Sequence, residues 1–121
     1  MKLTNQQIFT YANALVQAFD SEQKLPIKIN FYLQKNKNLL MELAQDIEKA
    51  RLNIAEINGK LDEEKKQYAI DPEKIETVQK ELEDLFSLEQ EVNIYTIDID
   101  SLSDNLTLTT GQMEALMFMI N

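Results

Sequence analysis

The sequence predicts a mainly α-helical domain with a small antiparallel β unit, an α+β fold. Apolar residues recur three and four positions apart over residues 29–57 and again over residues 75–92, which is the spacing of one helix face. Over residues 95–99 the apolar period changes to two, as in a strand with one buried face. The chain has 121 residues, 44% of them hydrophobic, so we expect residues 1–121 to fold as a single domain.

A first helix is predicted between Thr4 and Phe19. Thr4 and Gln7 have the spacing of a capping box, in which each side chain accepts a hydrogen bond from a free backbone N–H group at the helix start. The apolar residues that follow are three and four apart, and the polar residues 20–23 end the pattern.

The second predicted helix is the longest element, and it begins after Pro26, where a missing N–H group costs little. Residues 27–31 also alternate with period two, which leaves a short strand as an alternative at this boundary. Farther on, the steps of three and four make the heptad pattern of a coiled-coil seam. One seam position is polar, Asn36, and such a residue either fixes helix register or is simply exposed at the end of the seam. The seam positions are Ile29, Leu33, Asn36, Leu40, Leu43, Ile47, Ala50, Ile54, Ile57 and Leu61.

The long helix is expected to end at Asn58-Gly59, because both residue types tolerate the left-handed conformation that closes a helix. Residues 59–71 form a connection whose structure the pattern does not predict. A third helix then begins with Asp71 as the capping residue and proline at the first helical position. Two seams joined in this way predict an antiparallel helical hairpin, a long heptad helix beside a shorter one. The apolar stripe of the third helix consists of Ile75, Val78, Leu82, Leu85 and Val92.

Two short strands are predicted after the third helix. Tyr95, Ile97 and Ile99 fall on one face of the first strand, and polar side chains fall on the other face. Residues 103–105 have the composition of a turn, after which residues 106–108 favour a second short strand.

A final helix is predicted at the C-terminal end. Thr109 and Gln112 repeat the capping-box spacing. Residues 112–120 are apolar nearly all round, so we expect this helix to be buried or covered by a partner.

The residue types that are missing exclude several kinds of chemistry. The chain has no Cys and no His, so it has no disulfide, no thiolate nucleophile and no imidazole base. It has two glycines and neither a phosphate-binding loop nor a dinucleotide fingerprint. We therefore expect a protein that is not an enzyme and uses no cofactor. No stretch approaches the roughly 20 apolar residues of a membrane span, and the start lacks a signal-peptide pattern, so we expect a cytoplasmic protein that does not bind membranes.

The negative charge of the chain is concentrated in one quarter of it. Residues 71–104 carry eleven carboxylates and two lysines, a balance of −9, and the rest of the chain is neutral. A hydrated helix face is the plainer interpretation of this segment. The sharper interpretation is that the carboxylates imitate the phosphates of a nucleic acid and occupy a basic groove on another protein. The predicted partner-binding residues are Glu73, Glu76, Glu81, Glu83, Asp84, Glu89 and Glu91.

One further group of acidic residues is a candidate for binding a metal ion. Asp98 and Asp100, together with Asp104, are the best candidate for a metal site, because hard cations prefer oxygen ligands. The pattern departs from a calcium loop, since Leu102 stands at the third ligand position, and a hydrated outer face that discourages strand pairing is the plainer interpretation.

Direct binding of nucleic acid is not expected. The basic residues Lys35, Lys37, Lys49 and Arg51 are scattered among acids and form no basic aromatic platform.

Three stretches of the chain resemble a family of small uncharacterised proteins of tailed phages and prophages of Gram-positive bacteria. They are LPIKINF at residues 25–31 with QKN at 34–36, IEKAR at residues 47–51, and LT at 108–109 with QMEALMFMI at 112–120. The resemblance spans nearly the whole chain and rests on structural motifs. It implies a phage origin and a host cytoplasm, and it transfers no functional residue.

These observations together predict a non-enzymatic, phage-encoded protein that binds another protein. In the first form of this prediction, the acidic segment 71–104 blocks a host nucleic-acid-handling or defence protein. The alternative is a virion assembly accessory or structural protein that forms homo-oligomers through its helical seam.

Overall fold

The computed structural model describes residues 1–19, 24–102 and 106–121. Within these ranges, four α-helices dominate, and four short strands form two separate antiparallel pairs, which confirms the predicted fold class. The elements are β1 (Lys2–Thr4), α1 (Asn5–Ala18), α2 (Ile27–Asn58), β2 (Gly59–Asp62), β3 (Gln67–Ile70), α3 (Ile75–Ser87), β4 (Glu89–Glu91) and α4 (Thr110–Leu116). Short 3-10 turns cover Pro72–Lys74, Ile99–Ser101 and Met117–Met119.

Helix α1 begins at the predicted capping box. The Thr4 hydroxyl accepts a hydrogen bond from the Gln7 N–H at 3.1 Å, and the Gln7 side chain accepts one from the Thr4 N–H at 2.9 Å. The helix ends at Ala18, and the N–H of Phe19 closes its last turn on the Leu15 carbonyl. The predicted end at residues 20–23 lies outside the described residues.

Helix α2 is helical from its first residue, so the alternative of a strand over residues 27–31 is wrong. The Asn30 N–H already donates to the Pro26 carbonyl at 2.9 Å, which commits the first turn to a helix. The heptad seam is buried only along the first part of α2, as far as Ile47. Farther along, Ile54 is half-buried and Ile57 is 67% exposed. The seam therefore contributes to the main core in its first part and to a simple two-helix contact in its second.

The stop at Asn58-Gly59 is confirmed, but the expected left-handed conformation is wrong. Gly59 is extended, with φ −152° and ψ −175°, and begins an antiparallel hairpin in which it pairs with Ile70. A Cβ atom at Gly59 would collide with the Ala69 carbonyl oxygen and lie 3.1 Å from the Ala55 carbonyl oxygen. Glycine is required here because two backbones approach closely, and this relationship is not visible in a local sequence pattern.

Helix α3 runs back along α2, which confirms the antiparallel helical hairpin. The Asp71 N–H donates to the Asn58 carbonyl at 3.2 Å and places the start of α3 beside the end of α2. The capping role expected for Asp71 is wrong, since its carboxylate accepts no capping hydrogen bond and lies 3.9 Å from the Lys74 ammonium. Pro72 occupies the first position of a 3-10 turn that leads into α3.

The third helix is shorter than predicted and does not reach Val92. It ends at Ser87, and the next residues form β4, which pairs with β1 at the other end of the chain. The Leu88 carbonyl accepts a hydrogen bond from the Asn5 N–H at 2.8 Å, and the Val92 N–H donates to the Met1 carbonyl at 2.8 Å. These long-range hydrogen bonds hold residues 89–91 in an extended conformation, although the local apolar period favours a helix there.

The strand predicted at residues 95–99 is wrong. Of its inward positions only Ile97 is buried, whereas Tyr95 is 43% and Ile99 is 61% exposed. The Ile97 backbone forms a single parallel bridge with Ile120, and Ile99 starts a 3-10 turn. Residues 106–108 form no strand either, and the predicted turn at 103–105 lies outside the described residues.

The C-terminal capping box is confirmed, but the helix after it is short. The Thr109 hydroxyl accepts from the Gln112 N–H at 3.1 Å, and α4 gives way to a 3-10 turn after Leu116. One side of this unit is buried, with Leu116 and Met119 at 0% exposure, and the other is open, with Met117 at 66%. Burial, one of the two expected alternatives, is therefore confirmed for one side of this unit, and cover by a partner stays a prediction for the other side.

The main core lies where α1, the first part of α2 and α4 meet. Its buried apolar residues are Leu3, Ile8, Ala12, Leu15, Phe19, Ile29, Leu33, Leu40, Ile47, Val92, Ile97, Ala115, Leu116 and Met119. Among the described residues, no helix has both the length and the apolar character needed to cross a membrane.

Candidate protein-binding surface

The seven predicted partner-binding residues form one exposed surface, which we call the acidic ridge. It consists of Glu73, Glu76, Glu81, Glu83, Asp84, Glu89 and Glu91, all of them exposed. Helix α3 is amphipathic, with Val78, Leu82 and Leu85 turned toward the protein. At 3.6 residues per turn, Glu76, Glu83 and Asp84 fall on the half of the helix opposite this stripe, whereas Glu81 lies at the edge of the stripe, one position before Leu82.

Most carboxylates of the ridge have no cationic partner. Among the described residues, ion pairs involve Glu91 with the Met1 ammonium at 3.0 Å, Arg51 with Glu48, and Lys74 with Asp71. The other six ridge carboxylates are therefore not neutralised within the described part of the chain. Lys80 lies on the same helix face and lowers the charge of the ridge without forming an ion pair there.

The last two ridge residues are held on one side of β4. Glu89 and Glu91 alternate with Gln90, which is half-buried and donates to the Asn5 side-chain oxygen at 2.7 Å. Lys2 pairs with Glu91 across the two strands, so this end of the ridge is its least negative part.

Asn5 fixes the position of the ridge relative to the core, and sequence reasoning missed this role. The side chain is 3% exposed, and its amide donates to the Leu85 carbonyl at 2.8 Å while its backbone N–H donates to the Leu88 carbonyl. Because Asn5 also accepts from Gln90, a single residue holds the end of α3 and the start of β4 against α1. The sequence offers no local signal for it, because an Asn beside a helix cap is ordinarily exposed.

In the middle of the ridge, Glu81 lies near the end of α2. The Asn58 amide donates to the Ile54 carbonyl at 2.8 Å and approaches a Glu81 carboxylate oxygen at 3.5 Å. The ridge therefore contacts α2 near its middle and α1 at its β4 end.

Two grooves of about 310 Å³ and 530 Å³ flank α1, and no ridge residue lines either of them. On α2, two hydrogen bonds from Arg51 hold the pKa of Glu48 below its usual value. An exposed row of carboxylates can attract cationic groups over a distance, and this is the chemistry that the ridge supports.

The structure describes two of the three predicted metal residues. Asp98 and Asp100 are exposed on a segment that is not a strand, and Asp104 lies outside the described residues. Asp98 accepts a long hydrogen bond from the Asn121 amide at 3.4 Å. Within the part of the chain that the structure describes, no three acidic side chains are grouped closely enough to hold a metal ion.

Asn36, the polar seam residue, is fully buried. Its amide donates to the Tyr95 carbonyl at 2.8 Å, and its side-chain oxygen accepts from the Tyr95 N–H at 2.8 Å. It therefore binds a distant loop, and it is not an exposed residue at the end of the seam.

Comparison with protein-family models, with curated proteins and with solved structures finds no match to this chain.

Proposed function

We propose that the chain is a non-enzymatic, phage-encoded binding protein that acts in a host cytoplasm. Its acidic ridge occupies a basic groove on a host protein that handles nucleic acid or takes part in defence. The observation that supports this proposal is the exposed acidic ridge along the 3-10 turn, α3 and β4, in which six of the seven carboxylates lack a cationic partner among the described residues.

The spacing of the carboxylates along α3 is close to that of the phosphates along a nucleic-acid strand. Glu76, Glu81, Glu83 and Asp84 lie within about 12 Å of helix axis at 1.5 Å per residue. This gives roughly one carboxylate per 3–4 Å, against about 3.4 Å per phosphate along one strand of B-DNA. Lys80 reduces the net density, and the acidic turn at Glu73 extends the row beyond the helix. A groove that fits a phosphate backbone would therefore meet a similar density of charge on the ridge.

The position of the ridge also favours binding. Asn5 holds the end of α3 and the start of β4 to α1, and Asn58 of α2 approaches Glu81 in the middle of the ridge, so a partner meets carboxylates on a preformed element. A partner that binds a preformed helix loses less conformational entropy than one that must order it.

The experiment is a comparison of three forms of the protein as baits in host-cell extract. The ridge variant carries Glu81→Gln, Glu83→Gln and Asp84→Asn, and a matched variant carries Glu42→Gln, Asp46→Asn and Glu56→Gln on the exposed side of α2. Both variants lose three negative charges. The proposal predicts that wild type and the matched variant capture the same partner protein from the extract, and that the ridge variant does not capture it.

The captured partner provides the decisive second measurement. Double-stranded DNA should compete with the protein for that partner. The affinity of the partner for each of these two ligands should fall steeply as salt is raised, because salt opposes counterion release from DNA and screens the attraction between the groove and the carboxylates. Equal capture by all three forms, or loss from the matched variant as well, would contradict a specific role for the ridge.

The α2–α3 hairpin favours a second candidate function, that of an assembly accessory which oligomerises through the helical seam. Ile57, Leu61 and Ile75 are 67%, 53% and 45% exposed, and all three lie near the far end of this hairpin. Light scattering of wild type and of Ile57→Ser tests this alternative. A wild-type monomer at high concentration would exclude it, whereas an oligomer that the substitution dissociates would favour it over the ridge.

A further inference from the structure

The first turns of α2 and the loop after β4 together form an exposed group of aromatic and lysine side chains, which we call the aromatic–lysine cluster. It consists of Lys28, Phe31, Tyr32, Lys35 and Tyr95. The ring centroids of Phe31 and Tyr32 are 6.1 Å apart, and those of Tyr32 and Tyr95 are 5.3 Å apart. The Lys28 ammonium lies 5.7 Å from the Tyr32 centroid, and the Lys35 ammonium lies 5.5 Å from the Phe31 centroid.

Two of the three rings are open to solvent. Phe31 is 53% and Tyr95 is 43% exposed, whereas Tyr32 is half-buried between them and the protein. The Lys35 ammonium lies over one face of Phe31 and the Lys28 ammonium lies over one face of Tyr32, as cation–π partners. The cluster therefore presents exposed ring surface and ammonium groups close together.

The surroundings of the cluster along α2 are basic. Between Lys24 and Met41 the chain has four lysines and no acidic residue, although its net charge is −9. The Lys35 ammonium lies over Phe31, and the fold adds Tyr95 from a segment about 60 residues away to the aromatic residues of the helix.

Two hydrogen bonds hold the backbone of Tyr95 against α2. Asn36 binds both the N–H and the carbonyl of Tyr95, and it lies on the helix that carries Phe31 and Tyr32. The Asp98 side chain, the nearest acid along the loop, is directed to Asn121 at 3.4 Å. The platform is thus preorganised, which lowers the entropy that a ligand loses on binding.

We propose that the aromatic–lysine cluster binds single-stranded nucleic acid, with bases stacked on Phe31 and Tyr95 and phosphates at Lys28 and Lys35. Unpaired bases offer flat π faces to exposed rings, and each is linked to a phosphate that an ammonium group beside the ring can reach. A duplex hides its base faces, and an acidic peptide would use the lysines alone. The cluster shares no residue with the acidic ridge, so the inference does not depend on the proposed function.

Fluorescence anisotropy with labelled oligothymidylate and oligouridylate of about 12 nucleotides tests this inference at low salt, since single-strand sites of this kind span roughly 4–16 nucleotides. Phe31→Ala and Tyr95→Ala should each weaken binding by about 5- to 100-fold, the range expected when one stacked base is lost. Phe31→Tyr keeps the ring and should restore binding. Circular dichroism of each variant establishes that the helices are intact.

The lysines are tested through the salt dependence. Lys28→Gln together with Lys35→Gln should lower the slope of log affinity against log salt by roughly 1.4, about 0.7 for each phosphate contact. Lys60→Gln with Lys65→Gln on the exposed β2–β3 hairpin removes the same charge elsewhere and should leave binding unchanged.

Four results would overturn the inference. The first three are no binding by wild type at low salt, equal binding of a base-free polyphosphate that Phe31→Ala does not weaken, and tighter binding of a duplex of the same length. A negatively charged peptide that binds with the same sensitivity to Phe31→Ala and Tyr95→Ala would replace nucleic acid as the ligand class, and it would contradict the proposal.

Discussion

Asn36 on helix α2 binds the backbone of Tyr95 as a neighbouring strand would. Its amide donates to the Tyr95 carbonyl and its side-chain oxygen accepts from the Tyr95 N–H, both at 2.8 Å. The same amide lies 3.4 Å from the Met119 sulfur, so three distant parts of the chain meet at a residue that is 0% exposed. A polar residue in the middle of an apolar seam is thereby fully satisfied.

Replacing Asn36 with Leu should destabilise the protein, although Leu fits the seam pattern. The substitution leaves the N–H and the carbonyl of Tyr95 without their partner, and each unsatisfied group costs roughly 1–3 kcal/mol. We expect the free energy of unfolding to fall by about 2–4 kcal/mol in urea. Leu33→Met, a volume-conserving change in the same seam, should cost less than about 1.5 kcal/mol. A neutral or stabilising Asn36→Leu would show that Tyr95 finds other partners.

The two glycines should respond to alanine in opposite directions. At Gly59 a Cβ atom meets the carbonyl oxygens of Ala69 and Ala55, both backbone atoms that cannot move aside without opening the hairpin. At Gly111 in α4 the nearest atom is the Thr109 hydroxyl at 3.9 Å. We expect Gly59→Ala to lower the unfolding temperature. Gly111→Ala should raise stability by about 0.4–1 kcal/mol, because the unfolded chain loses conformational freedom. Equal effects in calorimetry would contradict the close approach at Gly59.

Neutralising the acidic ridge should not impair folding. The ridge variant, with Glu81→Gln, Glu83→Gln and Asp84→Asn, alters exposed side chains, so the free energy of unfolding should stay within about 0.5 kcal/mol of wild type. At low salt the variant should be the more stable of the two, because repulsion between like charges is removed, and the difference should vanish at 1 M salt. A loss above about 1 kcal/mol would mean that the ridge has a structural role.

The Glu48–Arg51 pair should contribute a small stability that depends on pH. Hydrogen bonds from Arg51 hold the pKa of Glu48 below its usual value of 4.5, so the contribution is present above that pH and is lost as pH falls through the lowered pKa. Because both side chains are about 40% exposed, solvent limits it to a few tenths of a kcal/mol. Glu48→Gln should therefore be slightly less stable than wild type at pH 7 and equal to it near pH 2. A difference that persists at pH 2 would point to lost packing.

Local patterns predicted the helices well and the β structure poorly. Both capping boxes and the limits of α2 follow from residues within a few positions of each other, as at Thr4 and Gln7. Strands β1 and β4 pair residues that are almost 90 positions apart, and each of these two strands is held in place by its hydrogen bonds to the other. No short window contains that information, and the same holds for the backbone contact that requires Gly59.

The candidate surfaces show the same difference. The exposure of the acidic ridge was predictable, because an amphipathic helix places its acids away from its apolar stripe. The aromatic–lysine cluster was not predictable, since it depends on the hydrogen bonds that bring Tyr95 to α2. Asn5 and Asn36 position these surfaces through side-chain contacts with distant backbone groups. Asn36 is a seam position, but the seam pattern does not indicate its contact with Tyr95, and Asn5 carries no periodic signal.

Helix α2 is continuous, but its seam is buried only as far as Ile47, and this difference divides the helix into two parts of unequal local stability. Beyond that point, protection of the amide hydrogens from exchange depends on the contact with α3 and on the β2–β3 hairpin. In the described residues of these elements, Val78 of α3 is the one buried apolar side chain. Hydrogen–deuterium exchange should therefore be fast in the outer part of α2 and in α3, and slow between Ile29 and Ile47. The acidic ridge lies on the faster-exchanging part, so occupation by a partner would be visible as protection there, far from the most stable helical turns.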